Sequence, residues 1–193
     1  MKKIAITGGI GSGKTYISNM FFKLGIPVYN SDEQAKRIIE SNIDLKHTLI
    51  INFGKDCYSN GNLNKKYISS LIFNDKHQLK LINSIVHPFV HDDFNNWLII
   101  QKSAYTIYES AIIYESGVEH DFDKIIGVIS PRELRNTRLL SRGMDSLSIK
   151  NVMDNQISDS TIANLSDFVI YNDLNNDLNN DVNDIHSQIL NYC

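Results

Sequence analysis

The string Gly8-Gly9-Ile10-Gly11-Ser12-Gly13-Lys14-Thr15 constrains this chain more than any other feature. It satisfies G-x-x-x-x-G-K-[ST] at every fixed position. It follows a short apolar run, Lys3 to Thr7, and precedes Ile17, Met20, Phe21 and Leu24 at helical spacing. Strand, glycine loop and helix in that order make an anion cradle, because glycines turn successive N–H groups inward and the helix adds the positive end of its dipole. Lys14 is expected to reach the outer phosphates of a nucleoside triphosphate, and Thr15 to offer its hydroxyl to a bridging Mg²⁺. The plain alternative is a glycine turn that only joins a strand to a helix. The motif in this context argues against it.

The rest of the chain continues the alternation. Gly25 is expected to end the first helix, and Pro27-Val28-Tyr29 to start a second strand parallel to the first. From Asp32 to about Ser103 the pattern is almost wholly helical, with breaks expected near Asn42, Asn60-Gly61, Asn74-Asp75 and His87-Pro88. Tyr105 to Glu109, Lys124 to Ile129 and Phe168 to Tyr171 complete the strand candidates. The predicted fold class is α/β of the P-loop NTPase type: a five-stranded parallel sheet covered by helices on both faces, with a helical insertion and a helical lid. The expected boundaries are a nucleotide-binding core over 1–32, 104–131 and 157–193, an acceptor-binding insertion over 33–103 and a lid over 132–156. The lid, with Arg132, Arg135, Arg138 and Arg142 ahead of Gly143, reads as a mobile helical hairpin. Leu174, Leu178, Val182, Ile185 and Ile189 form a helical stripe in an otherwise Asn- and Asp-rich tail, which predicts a closing helix.

At 193 residues, 42% hydrophobic and 21% charged, the chain suits one globular core rather than two. A formal net charge of −3 gives no basic footprint for nucleic acid, so anions must be held by local devices. Lys2 and Lys3 precede an apolar run that Gly8, Gly9 and Gly11 interrupt, which does not read as a signal peptide, and no stretch is apolar enough to span a bilayer. Cys57 and Cys193 are the only cysteines, which suits a reducing, cytoplasmic setting. Monomer and homo-oligomer stay equally open.

Among P-loop classes, a GTP switch needs an Asn-Lys-x-Asp clamp, and Asn64-Lys65-Lys66-Tyr67 lacks the aspartate. Small-molecule kinases match the size, the insertion and the Arg-rich lid. Asp32 follows directly on the second strand, where ligands collect at the carboxyl ends of open α/β sheets. A carboxylate there can take the proton of an attacking hydroxyl, a reading preferred to a helix N-cap, which Ser31 can also supply. Glu109, ending an apolar strand, is open between holding Mg²⁺ through water and a buried salt bridge. His87 and His91 stand four apart beside Asp92 and Asp93, a metal-like spacing, but Pro88 is expected in a first helical turn with His87 near its cap, so His87 reads as acceptor-side or structural.

With these residues in view, the chain resembles the dephospho-coenzyme A kinase family over nearly its whole length. The marks are Thr7 to Thr15; Asn30-Ser31-Asp32 with Lys36, similar to the family's D-A-D-x-x-x-[R/H]; and Ile85-Val86-His87-Pro88. Ile112-Ile113-Tyr114-Glu115 is similar to P-L-L-F-E, with Ala111 where proline is usual. Ser130-Pro131, Arg138, Arg142 and Gln156 resemble the lid, and Ala163 to Asn172 the strand near the nucleotide base. Asn30 stands where the family has aspartate. The resemblance implies ATP-dependent phosphorylation of the 3′-hydroxyl of dephospho-CoA, with ATP and Mg²⁺. It implies Asp32, Lys14, Arg138 and Arg142 as catalytic, and Gly9, Ile10, Gly11, Ser12, Gly13, Lys14, Thr15, Tyr16 and Asn172 at the nucleotide. Asp32, Lys36, His87 and Glu115 fall at the acceptor, and Thr15 at the metal. Phe53, Tyr58, Tyr67, Phe73, Phe89 and Trp97 lie in the insertion as pocket or core. A nucleoside monophosphate kinase and a non-catalytic nucleotide-binding regulator are the alternative readings.

Overall fold

Ile4 and Ile6 alternate with Ala5 along the first strand, and all three are fully buried, the pattern of a strand covered on both faces. In chain order the elements are β1 (Lys2–Thr7), α1 (Lys14–Lys23), β2 (Val28–Asn30), α2 (Ser31–Ser41), α3 (Ile43–Phe53), β3 (Tyr58–Ser59), β4 (Asn62–Leu63), α4 (Lys65–Ile72) and α5 (Lys76–Ile99). There follow β5 (Tyr105–Glu109), β6 (Lys124–Ile129), α6 (Arg132–Ser141), α7 (Ser146–Asn155), α8 (Asp159–Leu165), β7 (Phe168–Tyr171) and α9 (Leu178–Tyr192). This is a computed structural model, and it describes residues 1–72 and 75–193. Phe73 and Asn74 lie outside the described residues.

The chain divides into two compact units, Met1–Asn30 with Gln101–Cys193, and Ser31–Ile100. The expectation of one core is corrected by this division, because each unit buries its own apolar residues. In the first unit β1 sits at the centre of a five-stranded sheet of order β2-β5-β1-β6-β7, with every pairing parallel. On one face Ile4, Ile6, Ile107, Ile126, Val128 and Ile170 pack with Ile17 and Phe21 of α1 and with Val182, Ile185 and Ile189 of α9. On the other, Ala5 and Ile125 pack with Ile113, and Tyr108, Tyr114, Val118 and Phe122 close over them. The expected α/β sheet covered on both faces is what the chain forms. Because all five strands run the same way, their carboxyl ends share one edge, where the glycine loop begins.

Local chemistry sets the boundaries. After α1, Gly25 N–H bonds to Phe22 O at 3.0 Å and Ile26 N–H to Phe21 O at 3.2 Å, a paired closure that requires the positive φ of Gly25. The tail helix starts at Leu178 rather than four residues earlier. Asp173 Oδ1 accepts from the N–H groups of Asn175 and Asn176, and Asp177 Oδ1 accepts from those of Asn179 and Asn180, so the first aspartate folds a turn and the second caps α9. Leu174 is thereby left 86% exposed, off the stripe that was expected to include it.

The second unit corrects three expectations. Asn60 and Gly61, with φ of 50° and 84°, form the break expected there, but as the tight turn of a short antiparallel hairpin, β3–β4, rather than a join between two helices. Pro88 does not start a helix: α5 runs through it, and only the bond from position 88 to the Ser84 carbonyl is lost. His87 is therefore mid-helix and half-buried, not at a cap, and burial pushes its imidazole below the usual range. Tyr58 and Tyr67 donate their hydroxyls to the carbonyls of Ile39 and Phe53 at 2.7 and 2.9 Å, a structural use of both rings. Asn42 caps α3 and Asp75 caps α5 through their side-chain oxygens.

In the first unit Tyr105 Oη and His186 Nδ1 share a hydrogen bond of 2.6 Å, joining β5 to α9. Burial lowers the pKa of His186, so the unfolded chain, with a histidine pKa of about 6.5, takes up this proton more readily. The stability it contributes is complete above that value and is lost as pH falls through the depressed folded value. Urea unfolding between pH 7.5 and 5.5 should show a steeper loss of stability in the natural chain than in His186→Gln, and equal slopes would remove His186 from the account.

Candidate active site

The loop after β1 has little side-chain substance of its own, and its shape is set by neighbours. Gly13 is the N-cap of α1, with φ 99° and ψ 20°, a left-handed conformation that a residue with a Cβ rarely adopts. Ser12 N–H bonds to Gly9 O at 3.1 Å and closes the turn before it. The N–H groups of the first helical turn have no partner within the helix and carry the positive end of its dipole. Lys14, 9% exposed, folds over the loop and donates to Gly8 O at 2.9 Å and Gly9 O at 3.4 Å. Ser12 Oγ is buried and has no hydrogen-bond partner among the described residues.

Side chains from three other segments hold this loop. Ile10 N–H donates to Gln156 Oε1 at 2.8 Å, and Ile10 O accepts from Arg135 Nε at 2.8 Å, so the two peptide groups flanking the Ile10 Cα are both held. Arg135 is 6% exposed and is itself fixed by Asp159, whose two oxygens lie 2.9 and 3.1 Å from Nη1. A Cβ at Gly9 would stand 2.2 Å from Arg135 Nη2, so only glycine lets the guanidinium lie there. Arg138 Nη1 donates to Gly11 O, Ser12 O and Ser130 Oγ at 3.1 to 3.3 Å, while its Nη2 donates to Asn172 Oδ1 at 3.2 Å. Asn172 Nδ2 adds a bond of 2.7 Å to Ser12 O. Burial, and then the like charge of Arg142, lower the pKa of the Arg138 guanidinium.

A carboxylate completes the arrangement. Glu109, 5% exposed at the carboxyl end of β5, accepts from Thr15 Oγ1 at 2.6 Å through Oε1 and from Asn30 Nδ2 at 3.1 Å through Oε2. Asn30 and Glu109 are register partners of the β2–β5 ladder, which fixes their approach. An alcohol oxygen and a carboxylate side by side are hard oxygen donors of the kind Mg²⁺ takes, so these residues fit that ion.

The remaining expected site residues have varied placements. Tyr16 is 60% exposed, one turn into α1. Arg142 caps the carboxyl end of α6 and is exposed, whereas Arg135, given no special weight from sequence, is built into the loop. Glu115 Oε1 accepts from Ile157 N–H at 3.2 Å and ties down the segment after α7. In the second unit Asp32 and Glu33 are the acidic residues of the first turn of α2, a position that also favours a carboxylate at a helix N-terminus. Lys36 is exposed one turn on, and Arg37 pairs instead with Asp93 of α5. His91 shares a contact of 3.1 Å with Asn95, and no group of metal-ligating side chains stands together among the described residues. Sequence reasoning undervalued Arg135 and Glu109. For Glu109 the available signal was an acid ending an apolar strand, whereas nothing in the sequence separates Arg135 from the other arginines of its segment.

Gly13→Ala tests the crowding directly. A Cβ there would lie 2.0 Å from Asn172 Nδ2 in a backbone conformation already strained for alanine. The variant should lose about 1–3 kcal/mol of stability in urea unfolding together with most of its ATP affinity. Unchanged stability and binding would show that the loop has another shape in solution.

The comparisons with known proteins agree with this geometry. The family model for dephospho-CoA kinase matches residues 2–177. A dephospho-CoA kinase of Bacteroides fragilis (strain YCH46) is 36% identical over 175 residues, covering 89% of this chain and 84% of that protein. Among solved structures, one from Thermus thermophilus superposes with a TM-score of 0.83 at 24% identity, covering 99% and 97% of the two chains. The dephospho-CoA kinase of Campylobacter jejuni gives 0.69 at 23% identity, over 97% and 96%. These two structures carry the fold, and the family match and the B. fragilis relative carry the membership: this chain is a kinase of the dephospho-CoA kinase family.

Proposed function

We propose that this chain transfers the γ-phosphoryl group of ATP to the 3′-hydroxyl of dephospho-CoA, giving coenzyme A and ADP. The observation that carries the reading is the glycine loop with Thr15 held against Glu109 at 2.6 Å, which joins a polyphosphate cradle to an oxygen site for a cation. The hydroxyl oxygen of the acceptor attacks the γ-phosphorus, the bond to the β–γ bridging oxygen breaks, and the hydroxyl proton passes to the Asp32 carboxylate. In this reading the amides from Gly9 to Tyr16 and the Lys14 ammonium hold the triphosphate. Arg138 and Arg142 spread the charge of the transferred group, and Asn172 lies by the base. Thr15, with Glu109 behind it, would hold Mg²⁺, whose chemistry is to neutralise the outer phosphates.

Asp32 is assigned as the base on its place two residues beyond the carboxyl end of β2. Lys36, His87 and Glu115 are assigned to the acceptor, residues 33–103 to its binding and 132–156 to a lid over the nucleotide. Two free thiols, Cys57 and Cys193, suit a cytoplasmic setting. No helix of the described residues is long and apolar enough to cross a membrane.

Purified protein with ATP, Mg²⁺ and dephospho-CoA should form coenzyme A and ADP in equal amounts. Turnover with a nucleoside monophosphate but none with dephospho-CoA would select the nucleotide-kinase reading. ADP release that no acceptor stimulates would select a nucleotide-binding regulator. Asp32→Asn should keep ATP affinity within about twofold and lower kcat by about 100-fold or more, measured by steady-state kinetics and ATP titration. A rate equal to that of the natural chain removes Asp32 as base. Lys14→Ala should lose both affinity and rate.

A further inference from the structure

Glu109 has its two oxygens divided between two different donors. Oε1 takes the Thr15 hydroxyl at 2.6 Å, and Oε2 takes the Asn30 amide at 3.1 Å. A carboxylate accepts only, so the amide must present its nitrogen, and the strand register of Asn30 with Glu109 leaves little freedom for another pose. The carboxyl plane is therefore set from the Asn30 side, and the oxygen facing Thr15 is set with it. The same amide carries no charge, so the pair Asn30–Glu109 brings one negative charge to the Thr15 hydroxyl rather than two. Affinity of an oxygen site for a divalent cation follows the number of charged ligands around it.

We propose that Asn30 is a positioning residue that aims Glu109 at Thr15 and, by its neutrality, keeps the free protein's affinity for a divalent cation low, so that the cation enters with the nucleotide. The inference rests on the reading of Thr15 as a metal ligand and deepens it. Asn30 does not touch the reacting atoms in this account. It acts through the carboxylate it holds.

The test uses Mn²⁺ as the probe, with binding followed by electron paramagnetic resonance of the free ion and no acceptor present. The natural chain should bind Mn²⁺ weakly when no nucleotide is present. Asn30→Asp adds a second carboxylate and should bind Mn²⁺ without nucleotide at least about tenfold more tightly than the natural chain. Asn30→Ala should remain a weak binder alone and should bind the Mn²⁺–ADP complex about tenfold more weakly than the natural chain, and an unchanged affinity for that complex overturns the positioning role. Tight Mn²⁺ binding by the natural chain without nucleotide overturns the proposal, and so does an Asn30→Asp variant, folded by circular dichroism, whose affinity is unchanged. Should Asn30→Asp fail to fold, Asn30→Glu, which adds the same charge, is put to the same nucleotide-free measurement, with the same two outcomes. Because no acceptor is used, failure here is distinct from failure to make coenzyme A.

Discussion

The clasp on the glycine loop is the constraint on which the rest of the site depends. A loop built from Gly8, Gly9, Gly11 and Gly13 can take many backbone shapes, and the entropy of fixing it must be met by contacts from outside. Here those contacts are polar and buried. Gln156 and Arg135 take the N–H and the carbonyl of Ile10, and Arg138 and Asn172 converge on the carbonyl of Ser12. Each of these groups comes from the carboxyl edge of the sheet or the helical segment that follows β6. The parallel topology is what brings residues so far apart in the chain to one loop. Glycine is then required at position 13 for both conformation and room, and at position 9 for room.

The same edge supplies charge of both signs in separate places. Arg135 and Arg138 lie against the outer carbonyls of the loop, which carry partial negative charge, and Arg135 is neutralised by Asp159. Glu109 lies on the other side, against Thr15 and Asn30. For the proposed reaction such a separation suits a polyphosphate on the cationic side and a metal ion on the acidic side, since catalysis of phosphoryl transfer is chiefly electrostatic.

The sheet was legible because its strands are short apolar runs bounded by Gly, Pro and Asn, and Ile4 to Ile6 or Ile125 to Val128 cannot be anything exposed. The glycine loop was legible because its function fixes its residue types at fixed spacing. Less legible were features decided by partners distant in the chain. Arg135 and Arg142 look alike in sequence, and only the fold tells that Arg135 is 6% exposed against the loop while Arg142 is exposed at a helix end. Pro88 is a helix breaker by local rule, yet α5 tolerates it, because packing of Ile82, Val86, Val90 and Phe94 holds the helix on both sides of the lost bond. The Asn60-Gly61 dipeptide was legible as a break, but the two-residue strands it joins are too short to leave an alternation of their own in the helical pattern around them.

Amide hydrogen exchange across residues 9–15, with and without ATP, is the most direct test of the claim that this loop grips a polyphosphate through its backbone. The account predicts that exchange at these amides slows when ATP is added. Slowing confined to other segments, with residues 9–15 unchanged, would contradict it.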